Sequence, residues 1–457
     1  MDMVPVNQGQ EIETVIEGYG HEGEGVGRYQ DFTLFIPGAL KGETVKVQVL
    51  EVKKNYARGK VLQVINTVPE RTKPGCPIFA ICGGCQLQHL DYRAQLELKR
   101  QRVIDAIERI GGLNDVLVHA AIGMKEPWRY RNKVQYPVGI YKEKLVLGFY
   151  QQGTHRLVPV SDCLIQPLIT NKIALKVREL ANQYRLPVYN EKSGKGLLRH
   201  VLIKTAYLTG EAMVVLVTNG DCFPVGPRIA RDLAAAFPQI KSVVQNINRS
   251  RGNVILGDTN QVLWGSDGIV EKVGGLQFKF SASSFFQVNP VQTQTLYDKA
   301  VEYAELSRRE LVLDAYAGVG SLTLFLAKKA KMVYGIEVVS QAVVNAKENA
   351  ILNGIENVRF ITGTVEKELP KLVAGRLFFD VAVLDPPRSG CEERVLKSLV
   401  ENMIKRIVYV SCNPSTMARD LKILSELGYK TKEVQPVDMF PHTYHVECVA
   451  LITRAGK

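Results

Sequence analysis

Two residues near the end of the sequence have side chains suited to covalent work on a flat, electron-poor ring. Cys412 stands in Ser411-Cys412-Asn413-Pro414, directly after the apolar run KRIVYV. A thiolate is a soft nucleophile, apt for addition to an electron-poor ring carbon. A lone cysteine is more often a small buried hydrophobe, but a proline turn at the mouth of a sheet presents this one. Glu447 lies in PHTYHVECVAL, where a predicted strand begins. A carboxylate entering an apolar strand is costly to bury without a partner or a task. Beside Cys412 it can act as a general base. His442 and His445 compete for that task, and each reads equally well as a loop histidine bonded to backbone.

Three further motifs end predicted strands. Asp314-Ala-Tyr-Ala-Gly-Val-Gly320 allows a tight turn and close approach of a ligand to backbone, but Ser321 and Leu322 follow, unlike the dinucleotide pattern. Glu337 closes the next run, YGIE, where an acid can hold the two hydroxyls of a ribose. The pair suits S-adenosylmethionine, which has no pyrophosphate to cradle; a nicotinamide enzyme or a structural turn shares the remaining weight. Asp385-Pro-Pro-Arg388 stiffens a loop and frees its carbonyls, which suits gripping a planar base. Amino-group methyltransferases usually carry Tyr or Phe where Arg388 stands, which argues against methylation of an exocyclic amine.

The cysteines form a fourth pattern. Cys76, Cys82 and Cys85 crowd around Gly83-Gly84, and Cys163 lies far downstream. Four thiolates suit zinc or a [4Fe–4S] cluster, and spacing does not choose between them. With no secretory signal the thiols are expected to be reduced. Cys222, Cys391 and Cys448 read as packing residues.

The elements that must position these groups fall into three predicted domains. Residues 1–66 alternate in short strands with glycine turns, the pattern of a small closed β-barrel. Its lysines and its aromatics Tyr19, Tyr29, Phe32 and Tyr56 suit a groove for oligonucleotides. Residues 67–280 form an α+β central domain that carries the cysteine loop and a helix from DYRAQLELKRQRVIDAIERIGG. Its basic–aromatic run Trp128, Arg129, Tyr130, Arg131, Asn132 and Lys133 can stack bases and hold phosphates, with an ordinary exposed strand edge as the plain alternative. Residues 281–457 alternate strand and helix, a doubly wound Rossmann-like α/β domain whose ligands bind at the carboxyl ends of the strands. The 58 basic and 46 acidic residues give +12 over 457 residues. That excess suggests an anionic partner without proving one. No apolar stretch is long enough to span a membrane, and MDMVPVNQGQEIE is no signal peptide. The expectation is a soluble, cytoplasmic monomer.

Taken together, SSFFQVNP, DAYAGVGSLTL, DPPRSG, YVSCNP and PHTYHVECV resemble the RNA uracil-C5 methyltransferases, and among them the branch that makes 5-methyluridine in 23S ribosomal RNA. The resemblance spans essentially the whole chain. It implies Cys412 as nucleophile, Glu447 as base, and Gln287, Tyr316, Glu337 and Asp385 against cofactor or target base. Ser321 falls at a cofactor position where some members carry Asn, and Thr364 maps onto another. It further implies a [4Fe–4S] cluster on Cys76, Cys82, Cys85 and Cys163, a TRAM domain for the barrel, and RNA as partner. A transfer RNA uracil-C5 enzyme is the nearest alternative. A non-catalytic RNA-binding protein and a cytosine-C5 enzyme, whose nucleophile usually follows a proline, are the others.

Overall fold

The computed structural model describes residues 4–455. It begins with strands β1 (Glu11–Tyr19), β2 (Gly25–Tyr29), β3 (Phe32–Ile36), β4 (Thr44–Val52) and β5 (Tyr56–Asn66), closed into a barrel in the order β1-β2-β3-β5-β4. Strict alternation builds it: Ile12, Thr14 and Ile16 of β1 and Val45, Val47 and Val49 of β4 point inward, and the residues between them point out. Buried Glu43 accepts from Arg71 (Nη2–Oε2 2.7 Å) and from the Leu40 amide (2.8 Å), tying the barrel to the chain that leaves it. Several of the barrel's cations are already paired, Lys46 with Glu11 at 2.7 Å and Lys53 with Glu51 at 2.6 Å.

Helix α1 (Tyr92–Arg109) starts at Asp91, whose side chain accepts from the Arg93 amide, and gives way to Gly111-Gly112 as the sequence predicts. Gln95, Leu98, Lys99, Val103, Ala106 and Ile107 form its buried stripe. A short strand β6 (Leu117–Val118) follows. The sequence groups this segment with the central domain. The structure instead packs α1 beside the C-terminal sheet and adds β6 to that sheet's edge, because the buried stripe and two paired residues dock there.

The central sheet has strands β7 (Lys133–Tyr141), β8 (Lys144–Tyr150) and β9 (Leu157–Pro159), then α2 (Leu168–Gln183), β10 (Leu198–Thr205), β11 (Ala212–Thr218), α3 (Gly226–Ala236), β12 (Ile240–Ile247) and β13 (Thr259–Gly265), ordered β13-β12-β11-β10-β7-β8-β9. A hairpin, β14 (Gly268–Val273) and β15 (Leu276–Ser281), leads onward. Ile269, Phe278 and Phe280 of the hairpin share one core with Met213 and Val215 of β11 and Leu324 and Phe325 beyond it.

The last unit runs α4 (Pro290–Ala304), β16 (Leu311–Asp314), α5 (Ser321–Ala327), β17 (Met332–Glu337), α6 (Ser340–Leu352), β18 (Val358–Thr362), α7 (Val365–Ala374), β19 (Val381–Leu384), α8 (Glu393–Glu401), β20 (Arg406–Ser411), α9 (Pro414–Glu426), β21 (Tyr429–Val437) and β22 (Glu447–Arg454). Its sheet order is β18-β17-β16-β19-β20-β22-β21-β6. Strands β16 to β20 are parallel and nearly continuously apolar, as a sheet covered on both faces requires. The strand order reverses at β16, which is where such sheets open a crevice for ligands. No helix among the described residues is long and apolar enough to cross a membrane.

Candidate active site

Asp314, Glu337, Asp385 and Cys412 all stand at or just beyond the carboxyl ends of parallel strands, so they share one edge of the sheet. Glu447 reaches that edge by a different route. Strand β22 is antiparallel to β20, so its first residue lies where the parallel strands finish. The last matched pair is Ser411 with Cys448, and the next step of the same register sets Cys412 opposite Glu447.

The environment of this pair is dry and acidic. Glu447 is buried, and burial, with the charge of Asp385 as a lesser cause, raises its pKa to about 8. The Cys412 thiol is half-buried and pushed up to about 11, by burial first and then by Glu447 and Asp385, with Arg388 opposing. Asp385 is raised to about 7 by burial and by Asp314. A carboxylate whose pKa sits near neutrality has the strength for general-base work at ordinary pH.

Beside the pair lies a cavity of about 200 Å³ lined by Tyr316, Glu337, Gly363, Thr364 and Val365, among others. The glycine loop forms one wall because Asp314 accepts from both the Thr323 hydroxyl (2.6 Å) and the Tyr316 amide (3.4 Å). Gly318, at φ +54°, donates its amide to Glu337 Oε2 at 2.9 Å. Val339 donates to Oε1 at 2.8 Å, so the Glu337 carboxylate is fixed from two sides. The Thr364 hydroxyl is buried without a partner in the same cavity, a polar atom suited to a ligand. Gln287 and Ser321 do not line it. Gln287 is buried with its carbonyl held by Asn132 Nδ2 at 3.1 Å, and Ser321 shares a hydrogen bond with the Tyr297 hydroxyl at 2.9 Å.

The four clustered cysteines line a second cavity of about 420 Å³, which also reaches Arg131 and Arg388. Burial raises the thiols of Cys85 and Cys163 to about 12 and about 11, and each feels the other cysteines as further causes. Gln88 Oε1 accepts from the Cys76 amide at 3.1 Å. No three histidine, cysteine or acidic side chains converge on a single ion position among the described residues.

The tRNA (uracil-5-)-methyltransferase family model matches residues 92–455, and the TRAM domain model matches residues 5–62. The chain belongs to this uracil-5-methyltransferase family. A Bacillus cereus protein described as an uncharacterized RNA methyltransferase is 47% identical over 453 residues, covering 99% of this chain and 98% of its own. One of the same description from Caldanaerobacter subterraneus is 49% identical over 452 residues, covering 99% and 100%. Among solved structures, the tRNA (uracil-54, C5)-methyltransferase of Pyrococcus abyssi in complex with S-adenosyl-L-homocysteine superposes with a TM-score of 0.77 at 28% identity, covering 97% of this chain and all of that one.

In this uracil-5-methyltransferase the basic–aromatic run is not the exposed RNA strip that its composition predicts. Trp128 stacks on His442 with ring centroids 3.7 Å apart, and the buried Tyr130 hydroxyl donates to Pro441 O at 3.0 Å. Arg129 forks onto Asp162 at 2.6 and 2.9 Å and donates to Cys163 O at 3.0 Å. The run is therefore a clamp between the Cys163 loop and the loop before Glu447; of its cations, Arg131 and Lys133 line the cysteine cavity. His442 is spent on that clamp, its amide donating to Gln95 Oε1 at 3.0 Å and its carbonyl accepting from Gln86 and Leu87. Cys222 is exposed, which corrects its reading as a packing residue, whereas Cys391 and Cys448 are buried.

Sequence reasoning missed two buried lysines. Lys99 of α1 forms a fully buried pair with Asp438 (Nζ–Oδ1 2.5 Å) and also donates to Phe440 O at 3.0 Å. Lys204 of β10 donates to the carbonyls of Ser281, Ala282 and Ser284 at 2.8, 2.8 and 3.0 Å, fixing the loop that runs into Gln287. An acid among apolar neighbours in QPVDMF was the one available signal for Asp438.

Proposed function

We propose that the chain transfers a methyl group from S-adenosylmethionine to carbon 5 of a uridine in RNA, with 23S ribosomal RNA as its substrate. The observation that carries this reading is the thiol–carboxylate pair, Cys412 facing Glu447 at the carboxyl edge of the sheet. Carbon 5 of uracil is a poor nucleophile. The Cys412 thiolate adds to carbon 6, and the electron pair of the ring double bond passes to carbon 5 as an enolate. Bound S-adenosylmethionine supplies an electrophilic methyl group. Once carbon 5 has taken it, Glu447 removes the carbon 5 proton, the ring double bond re-forms, and the bond from carbon 6 to sulfur breaks to return the thiolate. Reaching the face of the ring requires the base to leave its stack. Tyr316, Glu337 and Thr364 would hold the adenosine end of the cofactor, with Gln287, Ser321 and Asp385 toward its reactive end and the base.

Glu447→Gln tests this directly. The variant should retain addition but not elimination, leaving a protein–RNA adduct that survives denaturing electrophoresis; an inactive variant that forms no adduct would count against the base assignment. In the wild type, kcat/KM should rise as pH climbs through about 8, because the ionised carboxylate is the working form.

The four cysteines are proposed to hold a [4Fe–4S] cluster, with zinc as the alternative. An all-sulfur donor set around a cavity far larger than one ion supports the cluster. The transfer needs no electron, so its part is structural or RNA-binding. Anaerobically purified protein should be brown and lose its visible absorbance in Cys85→Ser; colourless protein that contains zinc would favour the alternative.

The barrel and the cysteine loop favour ribosomal RNA. A transfer RNA substrate is the second reading, because the Pyrococcus abyssi transfer RNA enzyme covers 97% of this chain, so length alone does not separate the two classes. Mapping 5-methyluridine in ribosomal and transfer RNA from a deletion strain decides between them.

A further inference from the structure

Two loops at one end of the central sheet carry a basic cluster that none of the chemistry above uses. One, Asn190–Gly196, presents Lys192 and Lys195; the other, Asn248–Leu256, presents Arg249 and Arg251; all four are exposed. Both loops are stiffened from beneath. Asn190 Oδ1 accepts from the Lys192 and Ser193 amides at 3.0 Å each, and Asn219 Nδ2 donates to Gly194 O and Gly196 O. In the second loop, buried Arg199 donates to Asn248 O and Ser250 O at 2.7 Å each, and Asn248 Nδ2 donates to Val254 O and Ile255 O. A Cβ placed on Gly194 would lie 3.4 Å from Arg251 Nη2, so the two loops touch. The only ion pair here among the described residues is Arg249 with Asp221 at 3.1 Å, with both side chains well exposed and therefore weakly held. Glu191 is the other carboxylate nearby in sequence. The cluster also adjoins the active-site loop: Asn260 Nδ2, just past the arginine loop, donates to Ser283 Oγ at 2.9 Å.

We propose that these two loops are a docking surface for the RNA backbone, taking phosphates of the strand that flanks the target nucleotide. The proposal rests on the RNA reading above. Exposed cations on pre-ordered loops can neutralise phosphates without first being ordered, and each contact releases counterions. Phosphate contacts position a substrate and carry no sequence information, so the surface should govern affinity and leave the chemical step alone.

The test is the double variant Arg249→Gln/Arg251→Gln, with Lys192→Gln/Lys195→Gln as an independent second. Ribosomal RNA from a strain lacking the enzyme serves as probe, with filter binding across a salt series and methyl-transfer kinetics side by side. Each double variant should raise KM for RNA on the order of tenfold and flatten the log K against log salt slope by about 1.4–1.8, with kcat unchanged. Wild-type KM and slope in both variants, with the wild-type enzyme methylating the probe, would overturn the docking surface. Failure of the wild-type enzyme to methylate any ribosomal or transfer RNA would instead overturn the function reading, and the salt slopes would still report on the surface.

Discussion

Cys412→Ala is expected to abolish methyl transfer, a loss on the order of 10⁴-fold or more. Without the sulfur there is no bond to carbon 6 and no enolate at carbon 5, so no smaller effect is compatible with the proposed route. The thiol is half-buried and makes no hydrogen bond that shapes its surroundings, so folding and RNA affinity should be near wild type. That separation makes the result interpretable: filter binding should be retained while 5-methyluridine, read by mass spectrometry of digested RNA, disappears. Full turnover by the variant would remove Cys412 from the reaction.

Lys99→Met is expected to give the largest loss of stability of any single change far from the reacting groups. The Lys99 and Asp438 side chains are both fully buried. Removing the ammonium leaves Asp438 ionised in the interior with only the Tyr92 hydroxyl (2.9 Å) and the Phe440 amide (3.2 Å) to satisfy it. Breaking one side of a buried pair costs about 3–5 kcal/mol. Denaturant unfolding should show that shift, and Lys99→Met/Asp438→Asn should recover much of it because the stranded charge is gone. A single-variant loss under about 1 kcal/mol would mean that water reaches Asp438. Methyl transfer should suffer as well, since Asp438 anchors the loop that delivers Glu447.

The contrast between these two residues marks how far the sequence could be read. Cys412, Glu447, Asp314 and Glu337 sit where a parallel strand hands over to a loop, and strands of four to six apolar residues are visible in sequence. The barrel is equally visible because β1 and β4 alternate without interruption. Lys99 was hidden because a lysine in a helix repeat normally faces water, and its acid partner stands 339 positions away. The two-residue strand β6 carries no periodicity at all. Trp128 to Lys133 misled for a related reason. Basic and aromatic residues mark a nucleic-acid surface only when exposed, and here Arg129, at φ +57°, turns back onto Asp162.

The docking of α1 and β6 on the C-terminal sheet also bears on how the protein is made. Strand β6 pairs with Glu433 and Val434 of β21, and Lys99 waits for Asp438. At about 5–20 residues per second, synthesis of the intervening chain takes roughly 17–70 s. The barrel and the central sheet can close in that interval, while an amphipathic helix bearing an unmatched lysine stays undocked on the ribosome. Completion of the catalytic edge therefore falls to the final few dozen residues, and a nascent chain released short of β21 would leave α1 exposed to chaperones and proteases.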